Sequence, residues 1–512
     1  MKKVKRAAVY DRWLNSLGGG EQVAFAYAIA LRDFGYETEL LTHSLLDVEA
    51  AEKKMNVDLS GINMRYIPFR PDYQLSGFTE EYDVFVCNSY LDYIPNRAKY
   101  GILSIFFPSK INLSTYEYLK IAYIVPSLRN FFIYPSTFEG FRYDEQAGRK
   151  ILKYLGKNST INFSDNLTTF SLVLHFGSMA FSCVDNISFS LDDELIKPAE
   201  HSLNVNKNTG TYTFKFRKLT RGKKFTIHMP ESEYSESVSL IRIVIPSYRY
   251  IFYNIFKRFF PRFEMRLHGG PSLTKSSDIE SYDKILTISQ FSRRWVDMYW
   301  AKDSEVLYPP VSTRDFWPAQ EKKNIIAHIG RFFVTGHSKK QLDLVRVFKQ
   351  LVDDGFANWE LHFIGSVADG EAHQQYLNQV REEARGYPVF FHINAPFTDL
   401  RETLSQAKIY WHATGLDENP DKFPIRLEHF GITTVEAMAS GCVPVVINLG
   451  GQKEIVTKDS GYVWTKREEL LSMTEELIQN PEKLKLMSEN AIKRSKEFSF
   501  QNFKKELRKH LP

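Results

Sequence analysis

The sequence predicts an α/β protein of two doubly wound halves, with an all-β block set into the first half. Apolar, β-branched runs alternate with amphipathic helical patterns across residues 6–107 and again across 324–447. Glycine turns, Gly18-Gly19-Gly20 and Gly450-Gly451, follow apolar runs in the two halves. Between residues 128 and 246 the pattern changes to short stretches of period two.

A chain of 512 residues has room for two to four domains with sizeable cores. Its 43% hydrophobic and 25% charged residues are those of a globular protein, and a net charge of +5 is too small for this length to indicate nucleic acid. Cys87, Cys183 and Cys442 are odd in number and show no metal-ligand spacing, so a reducing compartment is expected and a disulfide framework is not. The basic start leads through Ala7–Tyr10 to Asp11 and Arg12 without the apolar core of a signal peptide, and no run approaches the roughly 20 residues that span a bilayer. A cytoplasmic protein, soluble or peripheral on the inner face of the membrane, is expected.

The first half opens with a strand at 6–10, the loop Gly18–Gly20, and a helix from Glu21 with Val23, Ala24, Phe25, Ala28 and Leu31 at helical spacing. The glycines do not form G-x-G-x-x-G, which disfavours a dehydrogenase. Strands at 39–43, 64–69, 84–87 and 102–107 continue the rhythm, so residues 1–127 are the first part of the amino-terminal domain.

Residues 128–246 are read as an inserted β-sandwich. Alternating stretches such as Thr169–Leu174, Thr211–Phe216 and Lys224–His228 are separated by Asp-Asn, Asn-Thr-Gly and Arg-Gly turns. Tyr212, Phe214 and Phe216 alternate as a core face would. Such a block binds glycan, self-associates or acts as a spacer, and the sequence leaves the three open.

Residues 247–305 return to the amino-terminal domain. Within them, 248–262 interleaves aromatic residues with Arg249, Lys257, Arg258 and Arg262. That composition suits a helix at an anionic membrane surface, and equally a buried helix whose cations border a cleft. A strand and helix over Asp283–Trp300 follow, and the prolines of Val306–Val311 make a hinge.

The second domain, 306–490, begins with the strand Asn324–Gly330. Arg331 ends it, and Lys339 and Lys340 stand at the start of a helix marked by Leu342, Leu344, Val345 and Phe348. Cations at a helix amino end oppose its dipole, so an anion partner is implied. Strands at 360–364, 389–392 and 409–412 complete the sheet, and Gly415–Arg426 reads as a mobile cover.

The organising segment is Glu428-His-Phe-Gly-Ile-Thr-Thr-Val-Glu436, continuing into a helix over 434–440 and the buried strand Val443–Ile447. Gly431 permits close backbone approach, and Thr433 or Thr434 is the expected N-cap. The exposed amides at the helix start form an anion site flanked by two hydroxyl-binding carboxylates. That layout suits a sugar nucleotide.

This segment, with Gly450-Gly451-x-x-Glu454-Ile-Val, closely resembles the donor-site signature of the family 4 retaining glycosyltransferases, which have the GT-B fold of two Rossmann-like domains facing a cleft. The resemblance covers the chain on either side of 128–246. It implies that Glu436 binds the ribose and Glu428 the transferred sugar, while amides near Gly431, Ile432 and Thr433 hold the diphosphate. Arg331 with Lys339 or Lys340 would neutralise that diphosphate, and counting back from Phe348 favours Lys339. Gly18, Gly19 and Gly20 would approach the donor phosphate or the acceptor. Phe106 stands where related sequences acting on lipid-linked sugars carry a histidine. The last segment, 491–512, would cross back onto the first domain as a helix.

The implied reaction moves a hexose-type sugar from a nucleoside diphosphate to a glycan or polyprenol-linked acceptor in surface polysaccharide or glycoconjugate assembly. No cofactor is expected, and no Asp-x-Asp or histidine cluster reads as a metal site, so cations and helix amides would meet the leaving-group charge. The competing class is a non-catalytic glycan-binding or scaffold protein acting through the β block.

Overall fold

The run Arg6–Tyr10 forms the first strand, β1, with Ala7 to Tyr10 fully buried. An unbroken apolar run of this kind belongs in a parallel sheet covered on both faces. The structure is a computed structural model that describes all residues except 1–3, 13, 44–45, 68–74, 92, 112–118, 120–122, 148–149, 177–183, 185, 207–208, 218, 220, 231–237, 260–275, 335 and 368–370. The chain divides into two units, residues 1–111 with 274–512, and residues 112–273.

In the first unit, β1 is followed by β2 (Glu37–Thr42), β3 (Ile62–Tyr66), β4 (Val84–Cys87) and β5 (Gly101–Ile105). The strand expected to reach Phe69 ends at Tyr66, and Phe69 itself lies outside the described residues. Helix α1 spans Gly19–Asp33, so Gly19 and Gly20 lie in its first turn instead of in a loop ahead of it. Two features offset the poor helix propensity of glycine there. Gly18 is the N-cap, with its amide donating to Glu21 Oε2 at 2.6 Å, and a side chain at 19 would meet Ile432 Cδ1 at 2.9 Å.

Among its described residues the second unit carries nine strands: β6 (Pro135–Ala147), β7 (Lys150–Leu167), β8 (Phe170–Phe176), β9 (Ser188–Leu191), β10 (Glu194–Ile196), β11 (Glu200–Asn206), β12 (Thr209–Phe216), β13 (Gly222–His228) and β14 (Val238–Val244). They join antiparallel in the order β10-β9-β13-β7-β14-β8-β12-β11, with β6 on β7. Phe214 and Phe216 are buried in its core, where Phe216 stacks on Phe170 with ring centroids 4.8 Å apart. In the same unit the helices Val125–Phe131 and Tyr248–Phe259 pack through Phe132, Tyr134 and Tyr253. Arg262 and the end of the aromatic run lie outside the described residues.

β15 (Lys284–Thr287) and β16 (Glu305–Val306) complete the seven-stranded parallel sheet of the amino lobe, in the order β16-β15-β5-β4-β1-β2-β3. The carboxyl lobe is a parallel sheet of β17 (Lys323–Ile329), β18 (Glu360–Gly365), β19 (Val389–Ile393), β20 (Ala407–His412), β21 (Val443–Ile447) and β22 (Tyr462–Trp464), ordered β19-β18-β17-β20-β21-β22. The strand order reverses between β1 and β4 in one sheet and between β17 and β20 in the other. Crevices beyond the strand ends at such reversals are where open α/β sheets bind ligands.

The lobes are joined twice. The linker residue Val311 donates its amide to the Phe498 carbonyl at 2.8 Å and bridges to Ser499 in parallel. The helix Phe500–Arg508 then lies on α1, through Phe503 against Tyr27 (5.1 Å between centroids) and Lys504 on Asp33 at 2.6 Å. Among the described residues, no helix is long and apolar enough to cross a membrane.

Candidate active site

β17 and β20 end side by side at the reversal of the carboxyl-lobe sheet, and the site grows from those two ends. Gly330 follows β17; a side chain there would meet Lys339 Cγ at 2.6 Å, so glycine lets Lys339 fold across the strand end. Lys339 Nζ thereby reaches Glu428 Oε2 at 2.6 Å. His412, the last residue of β20, presents Nε2 to the same oxygen at 3.2 Å. Burial would raise the Glu428 carboxyl, but the Lys339 ammonium and the His412 contact hold it well below the usual carboxylate range. Glu428 is therefore a charged acceptor at neutral pH.

The helix beside this pair spans Ile432–Ala439, and its N-cap is Gly431, not a threonine. Gly431 adopts a left-handed conformation, φ 119°, and an added Cβ would lie 2.2 Å from Gln452 Nε2, so neither Thr433 nor Thr434 is placed to cap. Thr434 instead donates to Gln452 Oε1 at 2.8 Å, and the Thr433 hydroxyl meets that of Tyr410 at 2.8 Å. The helix start carries no side-chain cap, which leaves its first amides to a ligand.

Glu436, one turn on, meets no cation among the described residues. Burial, with Asp315 nearby, pushes its carboxyl up to about 7. A side chain on Gly19 would meet Ile432 Cδ1 and one on Gly20 would lie 3.6 Å from Phe106, so Gly19 stands against this helix start and Gly20 against Phe106. Asn88, at the end of β4, donates to the Gly20 carbonyl at 3.1 Å and fixes that turn.

The remaining cations are arranged differently. Lys340 is the N-cap of the helix Gln341–Asp353, with φ 56°, and its Nζ pairs with Glu418 at 3.5 Å in the segment expected as a cover. Glu418 also holds Arg426 at 3.1 Å. Arg331 is exposed and has no carboxylate partner among the described residues, while its main-chain carbonyl is held by Gln341 Nε2 at 3.2 Å. Lys339, not Lys340, is thus the lysine on Glu428.

Four residues have contacts that were not evident from the sequence. His412 touches Glu428 directly. His429 stacks on Phe107 of the amino lobe, with centroids 4.7 Å apart, and His337 meets His429 edge-on at 4.7 Å. Glu454 accepts the amides of Gln290 and Phe291, each at 2.7 Å. The signals were present as histidines next to motif residues and as the glutamate of Gly-Gly-x-x-Glu.

Residues 312–494 match the family model "Glycosyl transferases group 1". This range holds Arg331, Lys339, Lys340, Glu428 and Glu436. The chain is 27% identical over 226 residues to a Dictyostelium discoideum GDP-Man:Man(3)GlcNAc(2)-PP-Dol alpha-1,2-mannosyltransferase, covering 41% of this chain and 42% of that one. It is 30% identical over 173 residues to the human protein of the same description, covering 31% and 32%. The chain thus spans about a third to two fifths of the length of these relatives. Among solved structures, Anabaena Alr3699/HepE in complex with UDP aligns over 99% of both chains with a TM-score of 0.53 at 12% identity. A glycosyltransferase from Rickettsia africae aligns over 99% of this chain and 98% of its own with a TM-score of 0.51 at 11% identity. The chain has the GT-B fold, and its residues 312–494 match the glycosyl transferases group 1 model.

Proposed function

We propose that this protein is a retaining glycosyltransferase that moves a hexose from a nucleoside diphosphate to a lipid-linked saccharide, without a divalent metal. The observation that carries the reading is the Lys339–Glu428 pair at the strand ends, beside an uncapped helix start. Glu428, held ionised, accepts hydroxyls of the sugar. Lys339 donates one of its three N–H groups in a hydrogen bond to Glu428 and keeps two for diphosphate oxygens. The amides of Ile432 and Thr433, with Arg331, meet the remaining charge, and Glu436 takes the ribose hydroxyls. In the transfer, the bond from the anomeric carbon to phosphate oxygen breaks and the bond to the acceptor oxygen forms on the same face. The acceptor proton leaves with the departing phosphate.

The relatives' descriptions name GDP-mannose as donor and a dolichyl-diphosphate oligosaccharide as acceptor, so GDP-mannose and a polyprenyl-diphosphate glycan are the first pair to test. Work at a lipid surface is supported by the helix Tyr248–Phe259. It exposes Tyr248, Ile251, Phe252, Ile255 and Phe259, contains no acidic residue and carries Lys257 and Arg258 in its last turn.

The test is a thermal-shift panel of nucleoside diphosphates and their hexose conjugates, followed by transfer assays in excess chelator. A ligand at a hundred times its Kd stabilises by about 2.7 kcal/mol. Stabilisation by one nucleotide class and turnover with chelator are the expected results. No stabilisation by any member would overturn the enzyme reading, and strict dependence on added divalent ion would overturn its metal-independent form.

A further inference from the structure

The second unit carries an apolar face that its own fold leaves uncovered. In the helix Tyr248–Phe259, residues Tyr248, Ile251, Phe252, Ile255 and Phe259 recur at intervals of three and four, which places them on one side. All five are between 49% and 69% exposed, so this stripe is not a core face. Phe131, which ends the helix Val125–Phe131, widens it, with its ring centroid 6.2 Å from that of Tyr248 and 6.5 Å from that of Phe252. Tyr123 and Ile124, just ahead of that helix, are exposed as well.

The two helices are fixed from beneath. Phe132, Tyr134 and Tyr253 are buried between them and the sheet, with Tyr134 stacked on Tyr253 at 5.0 Å between centroids. Arg249 donates through Nη2 to the Asn130 carbonyl and through Nη1 to Asp165 Oδ2 in β7, each at 2.7 Å, and through Nε to the Phe131 carbonyl. One guanidinium thus ties both helices to the β-sheet, and the stripe is a built outer surface.

Charge indicates what covers it. The helix Tyr248–Phe259 contains no acidic residue, and Arg258 lies three and seven positions after Ile255 and Ile251, at the border of the stripe. Arg258, Asn254 and Ile255 also line a cavity of about 410 Å³ with Val244, Ile245 and Pro246. An apolar slot with a cation at its rim suits an acyl chain whose phosphate meets the guanidinium. A helix of 12 residues cannot cross a bilayer, so its place is the interface. We propose that the second unit is a membrane-docking module, which lays both helices on an anionic phospholipid bilayer with Phe131, Ile251, Phe252 and Ile255 at the acyl boundary and Arg258 on lipid phosphate. This goes beyond the transfer reading by giving the unit a task of its own, and it does not depend on the nucleotide site.

Flotation of the full chain with vesicles of phosphatidylcholine, alone or with an equal part of phosphatidylglycerol, tests the module without donor or acceptor. The unaltered protein is expected to partition at least about tenfold more strongly onto the anionic vesicles. Phe252→Ser combined with Ile255→Ser should lower that partitioning at least about tenfold. Arg258→Glu should lower it about fivefold or more on anionic vesicles and leave binding to neutral ones unchanged. Leu195→Ser, which removes a 78% exposed side chain from β10 at the edge of the sheet, should leave it within about twofold. Thermal unfolding checks that each variant folds, and Arg258→Glu alone decides if the double variant does not. Equal partitioning of the unaltered protein onto both vesicle types, or undiminished partitioning of the stripe variants, would overturn the proposal. Conversion of a dimer to a monomer by the double variant would also overturn it, because the face would then join two copies of the chain. Failure to bind any nucleotide would overturn the transferase reading and leave the vesicle result standing.

Discussion

Glu454 caps the amino end of the helix that begins at Gln290, accepting the amides of Gln290 and Phe291 at 2.7 Å each from the opposite lobe. A carboxylate on bare helix amides is a charge-assisted contact favoured by the helix dipole. Tyr308 of the linker adds a longer bond to the same group, 3.3 Å. Replacing Glu454 with Gln is expected to cost about 1–2 kcal/mol in urea unfolding, whereas Tyr308→Phe should cost less than about 0.5 kcal/mol. Equal effects in the two variants would show that the cap contributes little.

Glu436 is expected to trade stability for binding. Its carboxyl rises from 4.5 to about 7 on folding. The folded state therefore binds the proton more tightly than the unfolded chain, and stability falls as pH rises from about 4.5 through 7. Each pH unit in that window is worth about 1.4 kcal/mol, so Glu436→Gln should be more stable than the parent at pH 8 by on the order of 3 kcal/mol, and no more stable at pH 4. The same variant should bind nucleotide more weakly, and nucleotide affinity of the parent should rise between pH 6 and 8 as the carboxylate forms. Chemical denaturation at the two pH values and a nucleotide titration check both halves.

The Lys339–Glu428 pair is about one-fifth exposed at both ends, so its loss is screened in part. Lys339→Met leaves Glu428 with the hydrogen bond to His412 and should destabilise by about 2–3 kcal/mol, somewhat below the 3–5 kcal/mol of a fully buried pair. Adding Glu428→Gln should recover most of that stability and none of the activity. A double-mutant cycle with unfolding and transfer readouts separates the two effects.

How much of this arrangement could be read beforehand depended on distance along the chain. Strands such as β1, β4 and β21 are nearly unbroken apolar runs, so their existence and parallel pairing followed from pattern alone. Glu428 and Glu436 sit eight positions apart on one loop and helix, and Lys339 was legible from its spacing to Phe348. The contacts of His412, His337 and His429 are set by tertiary approach over tens to hundreds of residues, which periodicity does not carry. Propensity placed Gly19 and Gly20 in a loop and a threonine at the N-cap. Tertiary contacts decided otherwise: Ile432 packs where a side chain on Gly19 would be, and Gln452 fills the space beside Gly431.

That last contact is testable. Gly431→Ala meets both an unfavourable φ of 119° and Gln452 Nε2, and should destabilise by about 2–4 kcal/mol. Gln452→Ala in the same chain should return only the part due to collision, leaving about 1–2 kcal/mol of backbone cost. Full recovery would mean that the glycine is required for space alone.

The parallel bridge of Val311 to Ser499 makes the crossing between lobes a double strap instead of a single thread. Two backbones tied side by side resist shear more than a single one, so any movement of one lobe against the other must bend both crossings together. A nodding motion changes the gap without altering Lys339, Glu428 and Glu436, which all ride on one lobe. The arrangement of those three side chains is therefore mechanically separable from the gap between the lobes.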